Sequence, residues 1–241
     1  MGGLFRVLTS DLSGSDLLYS VLYVLLSAAI VIFLTMPVHE WAHGFAASKL
    51  GDPTAKYYGR LRLNPLAHID PVGALGILLF GIGWAKPVPV DPRYFKNPKR
   101  DMAITAFAGP LSNLIMAFLA IFVSNALQFA AFLCIGMVSY ILYFVAIVFY
   151  YVAAINISLA VFNLVPIPPL DGSKILAAFL SDRAYYTLMR YERYFTIILY
   201  GLIFFSTRFS TVLSVAVSSL ISIFDKITWW PFEAIVREIY K

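Results

Sequence analysis

The chain has 241 residues, 61% of them hydrophobic and only 13% charged, with a formal net charge of +5 at pH 7 and a mean hydropathy of +0.81. That composition excludes an ordinary soluble domain, and the apolar segments leave no stretch long enough for a separate soluble unit, so one integral-membrane domain is expected over residues 1–241. The basic excess does not signal nucleic acid, because Lys and Arg fall in short loops between apolar segments, where membrane topology places them. Cys134, the single cysteine, offers no internal disulfide and reads as a small buried hydrophobe.

The first apolar segment runs from about Leu17 to Met36 and continues through Pro37 and His39-Glu40-Trp41-Ala42-His43 to about Leu50. Gly51-Asp52-Pro53 stops it. The segment lacks a basic start and leads into a polar motif, so it reads as a retained helix and not as a cleavable signal peptide. Next, the stretch from Lys56 to Leu63 alternates basic or polar with apolar residues and ends at Asn64-Pro65, which predicts a strand or hairpin. From Ile69 to Ala85 an apolar stretch is broken by Pro71, Gly73, Gly76, Gly81 and Gly83, and either spans or dips in and returns.

A basic, proline-rich loop from Lys86 to Asp101 precedes an apolar helix from about Met102 to Val123 and a long apolar run from Leu127 to Leu164. At about 1.5 Å per residue that run exceeds one bilayer width, which requires a steep tilt or a turn near Gly136. Pro166-Ile167-Pro168-Pro169 breaks it, and Leu170-Asp171-Gly172 follows. A basic and aromatic loop, Lys174 to Tyr194, leads to a last apolar segment, Phe195 to Phe224. Trp229-Trp230-Pro231 then opens a candidate interfacial helix over 229–241, with Phe232, Ile235, Val236, Ile239 and Tyr240 at helical spacing. The expected fold is an all-α polytopic membrane protein of about 4–6 transmembrane helices with a small membrane-associated β-hairpin or re-entrant segment. The part that carries the polar motifs is expected over about residues 17–176.

His39 and His43 lie at i and i+4, so a helix puts both imidazoles on one face, where they can bind one ion while Glu40 reaches water on it. Ionisable groups at membrane depth are costly, which favours function over decoration. Zinc needs a third protein ligand and keeps an open position for water. Asp171 is the best candidate, a carboxylate held by a proline turn directly after a long apolar helix. The three basic clusters, over 49–62, 86–100 and 174–193, all belong on the cytoplasmic side. That assignment requires the Ile69 to Ala85 segment to re-enter, and the same topology returns Asp171 to the side of His39 and His43.

Three motifs, in this order, resemble those of the site-2 protease family of intramembrane zinc metalloproteases: His39-Glu40-Trp41-Ala42-His43, Ala108-Gly109-Pro110-Leu111-Ser112-Asn113, and Asn163 through Pro166, Pro168 and Pro169 to Leu170-Asp171-Gly172. Asn64-Pro65 to Asp70-Pro71 and Gly83-Trp84-Ala85-Lys86-Pro87-Val88-Pro89-Val90 resemble its compact prokaryotic branch, which has no inserted PDZ domain. The resemblance implies His39, His43 and Asp171 as ligands of one zinc per chain, Glu40 as the catalytic acid/base, and Asn163 as a contact to the substrate backbone or oxyanion. It implies hydrolysis of transmembrane proteins or peptides in or near the bilayer of a prokaryotic cell membrane, as in regulated intramembrane proteolysis, with the active site toward the cytoplasm.

The Lys56 to Leu63 strand offers an edge with which an extended substrate segment pairs. Gly109 and Asn113 read as packing residues. His68, in a proline-flanked loop, suits a structural hydrogen bond or a further ligand. A metal transporter or sensor is the rival reading, weakened by having only three histidines and no carboxylate relay; an inactive scaffold of the same fold is another.

Overall fold

The computed structural model describes residues 3–81 and 83–239, and among them it is helical throughout, with no strand. A short helix α1 (Leu4–Leu8) precedes α2 (Gly14–Ile30), which passes through a five-residue π turn, Val31–Thr35, into α3 (Met36–Lys49). Together α2, the turn and α3 form one 36-residue rod. Pro37 explains the π turn, since it has no N–H for the Phe33 carbonyl four residues back and the ladder must re-register there. The turn sits directly before the His39 to His43 motif.

Short helices follow: α4 (Thr54–Tyr57), α5 (Pro65–His68) and α6 (Pro71–Phe80). Then come two long antiparallel helices, α7 (Pro98–Leu133) and α8 (Met137–Asn163), which turn at Cys134 to Gly136, where Gly136 has φ +69°. The chain ends in α9 (Asp171–Ala177), α10 (Asp182–Arg190), α11 (Glu192–Phe205) and α12 (Thr207–Ile239). Four elements are long and apolar enough to cross a membrane: Gly14–Lys49, α7, α8 and most of α12. The core lies where they meet, with Val31, Ile77, Ala117, Ile121, Ala153 and Ile157 all at 1% exposure or less. Alanines at so many of these contacts let the helix backbones approach closely, which is how helices pack in lipid.

The segment from 69 to 85 turns back on itself. Helix α6 has only 10 residues, about 15 Å, half of a hydrocarbon core, and after Gly81 the chain returns extended. A Cβ on Gly73 would overlap the Trp84 carbonyl of the returning limb, and one on Gly83 would overlap the Gly73 carbonyl. The two limbs therefore touch backbone to backbone. Gly73→Ala is expected to cost about 1–3 kcal/mol of stability, because only backbone could move aside. An unchanged thermal unfolding midpoint in detergent would refute this contact.

Two expectations are corrected. Residues 56–63 form no strand or hairpin, so they offer no strand edge to a substrate. Pro53 and the buried Asp52 start α4 instead: Asp52 Oδ1 accepts the Thr54 N–H at 2.9 Å and the Thr54 hydroxyl. The chain then turns at Gly59 (φ +63°), and no neighbouring segment is placed to supply a ladder. The last apolar segment, 195–224, is divided between α11 and α12 at Ser206, which is extended and whose Oγ accepts the Phe209 N–H at 3.2 Å, as an N-cap does. Finally, α12 runs unbroken through Trp229-Trp230-Pro231, so no separate helix begins at Trp229; Tyr240 and Lys241 lie outside the described residues. Phe232 keeps that extension packed on α7, with ring centroids 6.0 Å from Phe122 and 5.3 Å from Phe129.

Candidate metal centre

The site forms where the end of the first rod, the start of α7 and the turn after α8 come together. On α3, His39 and His43 stand one helical turn apart with their Nε2 atoms 3.1 Å from each other. The Val165 to Leu170 turn brings Asp171, the first residue of α9, opposite them, with Oδ2 3.6 Å from His39 Nε2 and 3.2 Å from His43 Nε2. Residues far apart in sequence thus meet as the helical topology demanded: α7 leads away from α3 and α8 returns.

The His43 tautomer follows from its surroundings. Its Nδ1 lies 2.8 Å from the Thr105 carbonyl on α7, which can only accept, so Nδ1–H donates and the Nε2 lone pair points at His39 and Asp171. Converging lone pairs repel unless a cation lies among them. Four-coordinate zinc at 2.0–2.2 Å from N and O ligands sets ligand atoms about 3.4 Å apart, against 3.1, 3.2 and 3.6 Å here. The donor set fits zinc. His39 Nδ1 is buried with no hydrogen-bond partner, so no bond on that side fixes the ring as the Thr105 carbonyl fixes His43.

Asp171 divides its oxygens: Oδ2 faces the imidazoles, and Oδ1 lies 3.4 Å from Lys174 Nζ. Glu40, 8% exposed, points into the same cleft. Its Oε2 accepts the Val88 N–H at 2.9 Å, which leaves Oε1 for chemistry.

Val88 belongs to the extended limb that returns from α6. Three bonds lash that limb across the site: Lys86 N–H to the His68 carbonyl (2.8 Å), Val88 N–H to Glu40, and Asp91 N–H to Asp52 Oδ2 (2.8 Å). Arg60 adds a bond to the Lys86 carbonyl at 2.7 Å. His68 is fully buried outside the cleft, and its Nε2–H donates to the Arg62 carbonyl at 2.7 Å, the structural role. The cleft, about 440 Å³, is bounded by α3, α7, the turn before α9, the extended limb and α11, and Asn163 lines it.

Two features were not anticipated. Asp52 was read only as part of a helix stop, yet it is fully buried and anchors both α4 and the extended limb. Gly109 was read as packing, yet a Cβ there would lie 2.7 Å from His39 Cε1 and still closer to His43 Nε2 and Cε1. The backbone of α7 is a wall of the metal centre. The sequence signal for it was present, a glycine in a motif one turn after Thr105, but nothing in the sequence says which helix face meets the histidines.

Helices long and apolar enough to cross a membrane thus bring His39, His43 and Asp171 together beside Glu40, a His/His/carboxylate donor set suited to a metal ion. The family model of Peptidase family M50 matches residues 140–207, which include Asn163 and Asp171. YwhC of Bacillus subtilis (strain 168), provisionally named a zinc metalloprotease, is 39% identical over 152 residues, 61% of this chain and 66% of its own length. Rip2 of Mycolicibacterium smegmatis, named likewise, is 31% identical over 147 residues, 58% of this chain and 51% of its own length. Rip2 of Mycobacterium tuberculosis is 29% identical over 163 residues, 65% and 57% of the two lengths. The chain spans less than two thirds of the length of each of these relatives. No solved structure matches it. These matches make the chain similar to Peptidase family M50 and to proteins named zinc metalloproteases, and its His39, His43 and Asp171 cluster is a donor set suited to such a metal.

Proposed function

We propose that this protein is an intramembrane zinc metalloprotease of the site-2 type. His39, His43 and Asp171 hold the metal, Glu40 is the acid/base, and the substrate is the backbone of a membrane-spanning protein or peptide, as in regulated intramembrane proteolysis. The observation that carries this reading is the convergence of His39, His43 and Asp171 beside Glu40, at one end of membrane-length helices.

When bound, zinc would lower the pKa of water from 15.7 to about 7 and polarise the scissile carbonyl. Glu40 would take a proton on Oε1 and return it to the leaving amine, its Oε2 held by the Val88 N–H. Thr105 fixes the His43 ring through its carbonyl, and Lys174 keeps Asp171 presenting one oxygen to the imidazoles. Asn163, on the cleft wall at the end of α8, is placed to hold substrate backbone. The basic loops over 49–62, 86–100 and 174–193 all lie toward the site's end of the bundle, which supports a cytoplasmic active site under the positive-inside rule.

Metal content tests the reading. In mild detergent, the wild type should hold about one zinc per chain, and both His39→Ala and Asp171→Ala should lose most of it. Zinc kept without Asp171 would remove the third ligand. A folded wild type without metal would point to an inactive scaffold instead.

A further inference from the structure

Helix α7 turns three residues toward the site at four-residue intervals: Thr105, Gly109 and Asn113, along one stripe. The first two have visible tasks. The Thr105 carbonyl accepts from His43, and Gly109 makes room for both imidazoles. Asn113 has none. It is 2% exposed, it lines the same cleft as Glu40, Asp171 and Asn163, and its Oδ1 is buried with no hydrogen-bond partner. No hydrogen bond from a described residue engages the other end of its amide.

Such an amide is unusual, because most buried side-chain polar atoms are paired and each unpaired one carries a desolvation cost. The other buried asparagines of the long helices show the contrast. Asn125, further along α7, donates to Asp225 Oδ1 at 3.0 Å and to Thr228 Oγ1 at 2.9 Å, fastening α12. Asn156 on α8 donates to the Val152 carbonyl at 2.9 Å and lies away from the cleft. Asn156 Oδ1 is likewise unpartnered, so what sets Asn113 apart is that it alone of the three borders the cleft and makes no hydrogen bond to a described residue at either end of its amide.

We propose that Asn113 is a substrate-binding residue whose side-chain amide pairs with a backbone peptide group of an extended chain lying in the cleft. The inference rests on the proteolytic reading and deepens it. An asparagine amide carries a donor and an acceptor in one plane, complementary to a peptide N–H and C=O. A helical substrate spends those groups internally, whereas an unwound one offers them. Asn113 on α7 and Asn163 on α8 would then grip backbone from two walls, which selects unwound chain with little regard to side chains and without adding a charge at membrane depth.

Two hydroxamates test this on the zinc-loaded protein in detergent by calorimetry: acetohydroxamate, which reaches only the metal, and a succinyl-leucyl-alaninamide hydroxamate, which adds peptide groups. The wild type should prefer the peptidyl probe, and Asn113→Leu should lose about tenfold on that probe alone, with zinc content and acetohydroxamate affinity unchanged. If Asn113→Leu does not fold, the wild type decides with peptidyl probes N-methylated at each amide in turn, and at least one should lose about tenfold. A full preference retained by Asn113→Leu, or indifference to every N-methylation, overturns the inference and leaves Asn113 holding water. A wild type with no preference for the peptidyl probe overturns the proteolytic reading with it. A wild type that binds neither probe removes the metal site as well.

Discussion

Glu40→Gln is expected to keep its zinc and lose about 10²–10⁴-fold in turnover, the range that a positioned acid/base contributes. The separation of these two effects comes from the geometry. Glu40 is not one of the three converging donors, so metal affinity should survive its replacement. Glutamine has the same shape, and its carbonyl oxygen can still accept the Val88 N–H that glutamate Oε2 accepts at 2.9 Å. What it lacks is a carboxylate oxygen able to take a proton. The measurement is zinc per chain and cleavage rate on one preparation. Unimpaired cleavage would remove Glu40 from the chemistry, and loss of zinc would place it in the metal's support instead.

Gly109→Ala should act in the opposite way, abolishing metal binding in a protein that still folds. Alanine in place of glycine favours an exposed helix interior by about 1 kcal/mol, so α7 itself gains. The added methyl, however, would lie 2.7 Å from His39 Cε1 and closer to two atoms of the His43 ring. Those rings cannot both retreat: His43 is tied to the Thr105 carbonyl on the same helix that carries the methyl. Loss of zinc with retained helical content, by elemental analysis beside circular dichroism, is the expected result. A variant with full zinc would show that α7 can slide away from α3, against the close packing described here.

Much of this site was legible in the sequence because its chemistry is local or periodic. The i, i+4 histidines announce a shared helix face at once, and the proline break before Asp171 marks where a long apolar helix must end. The return of Asp171 to the histidines followed from counting crossings with the 69–85 segment not spanning, and α6, at 10 residues, is too short to span. Other features were hidden for definable reasons. The alternation over 56–63 imitates a strand, but a strand needs a partner ladder, and the buried Asp52 that starts a helical turn there gives no periodic signal. Ser206 divides an apolar run where Ser206-Thr207-Arg208 interrupts it, a local polar signal without a proline or glycine to mark a break. Pro231, a usual breaker, is carried within α12 while Phe232 holds the following turn to α7. Gly109 and Asn113 were visible as a motif, yet only the packing angle of α7 on α3 turns them toward the metal centre.

The delivery of Asp171 by the turn after α8 also sets a schedule for the growing chain. When the first rod has been made, it holds two histidines and a glutamate but cannot close the cluster. The third donor is missing until α7 has gone out, α8 has come back, and the proline turn has been laid down. Hydrolytic competence would therefore arrive late and all at once, after the bundle that encloses it is largely in place. A half-made chain passing through the insertion machinery, surrounded by other unwound membrane segments, would hold the acid/base without the complete metal cradle that makes it dangerous to them.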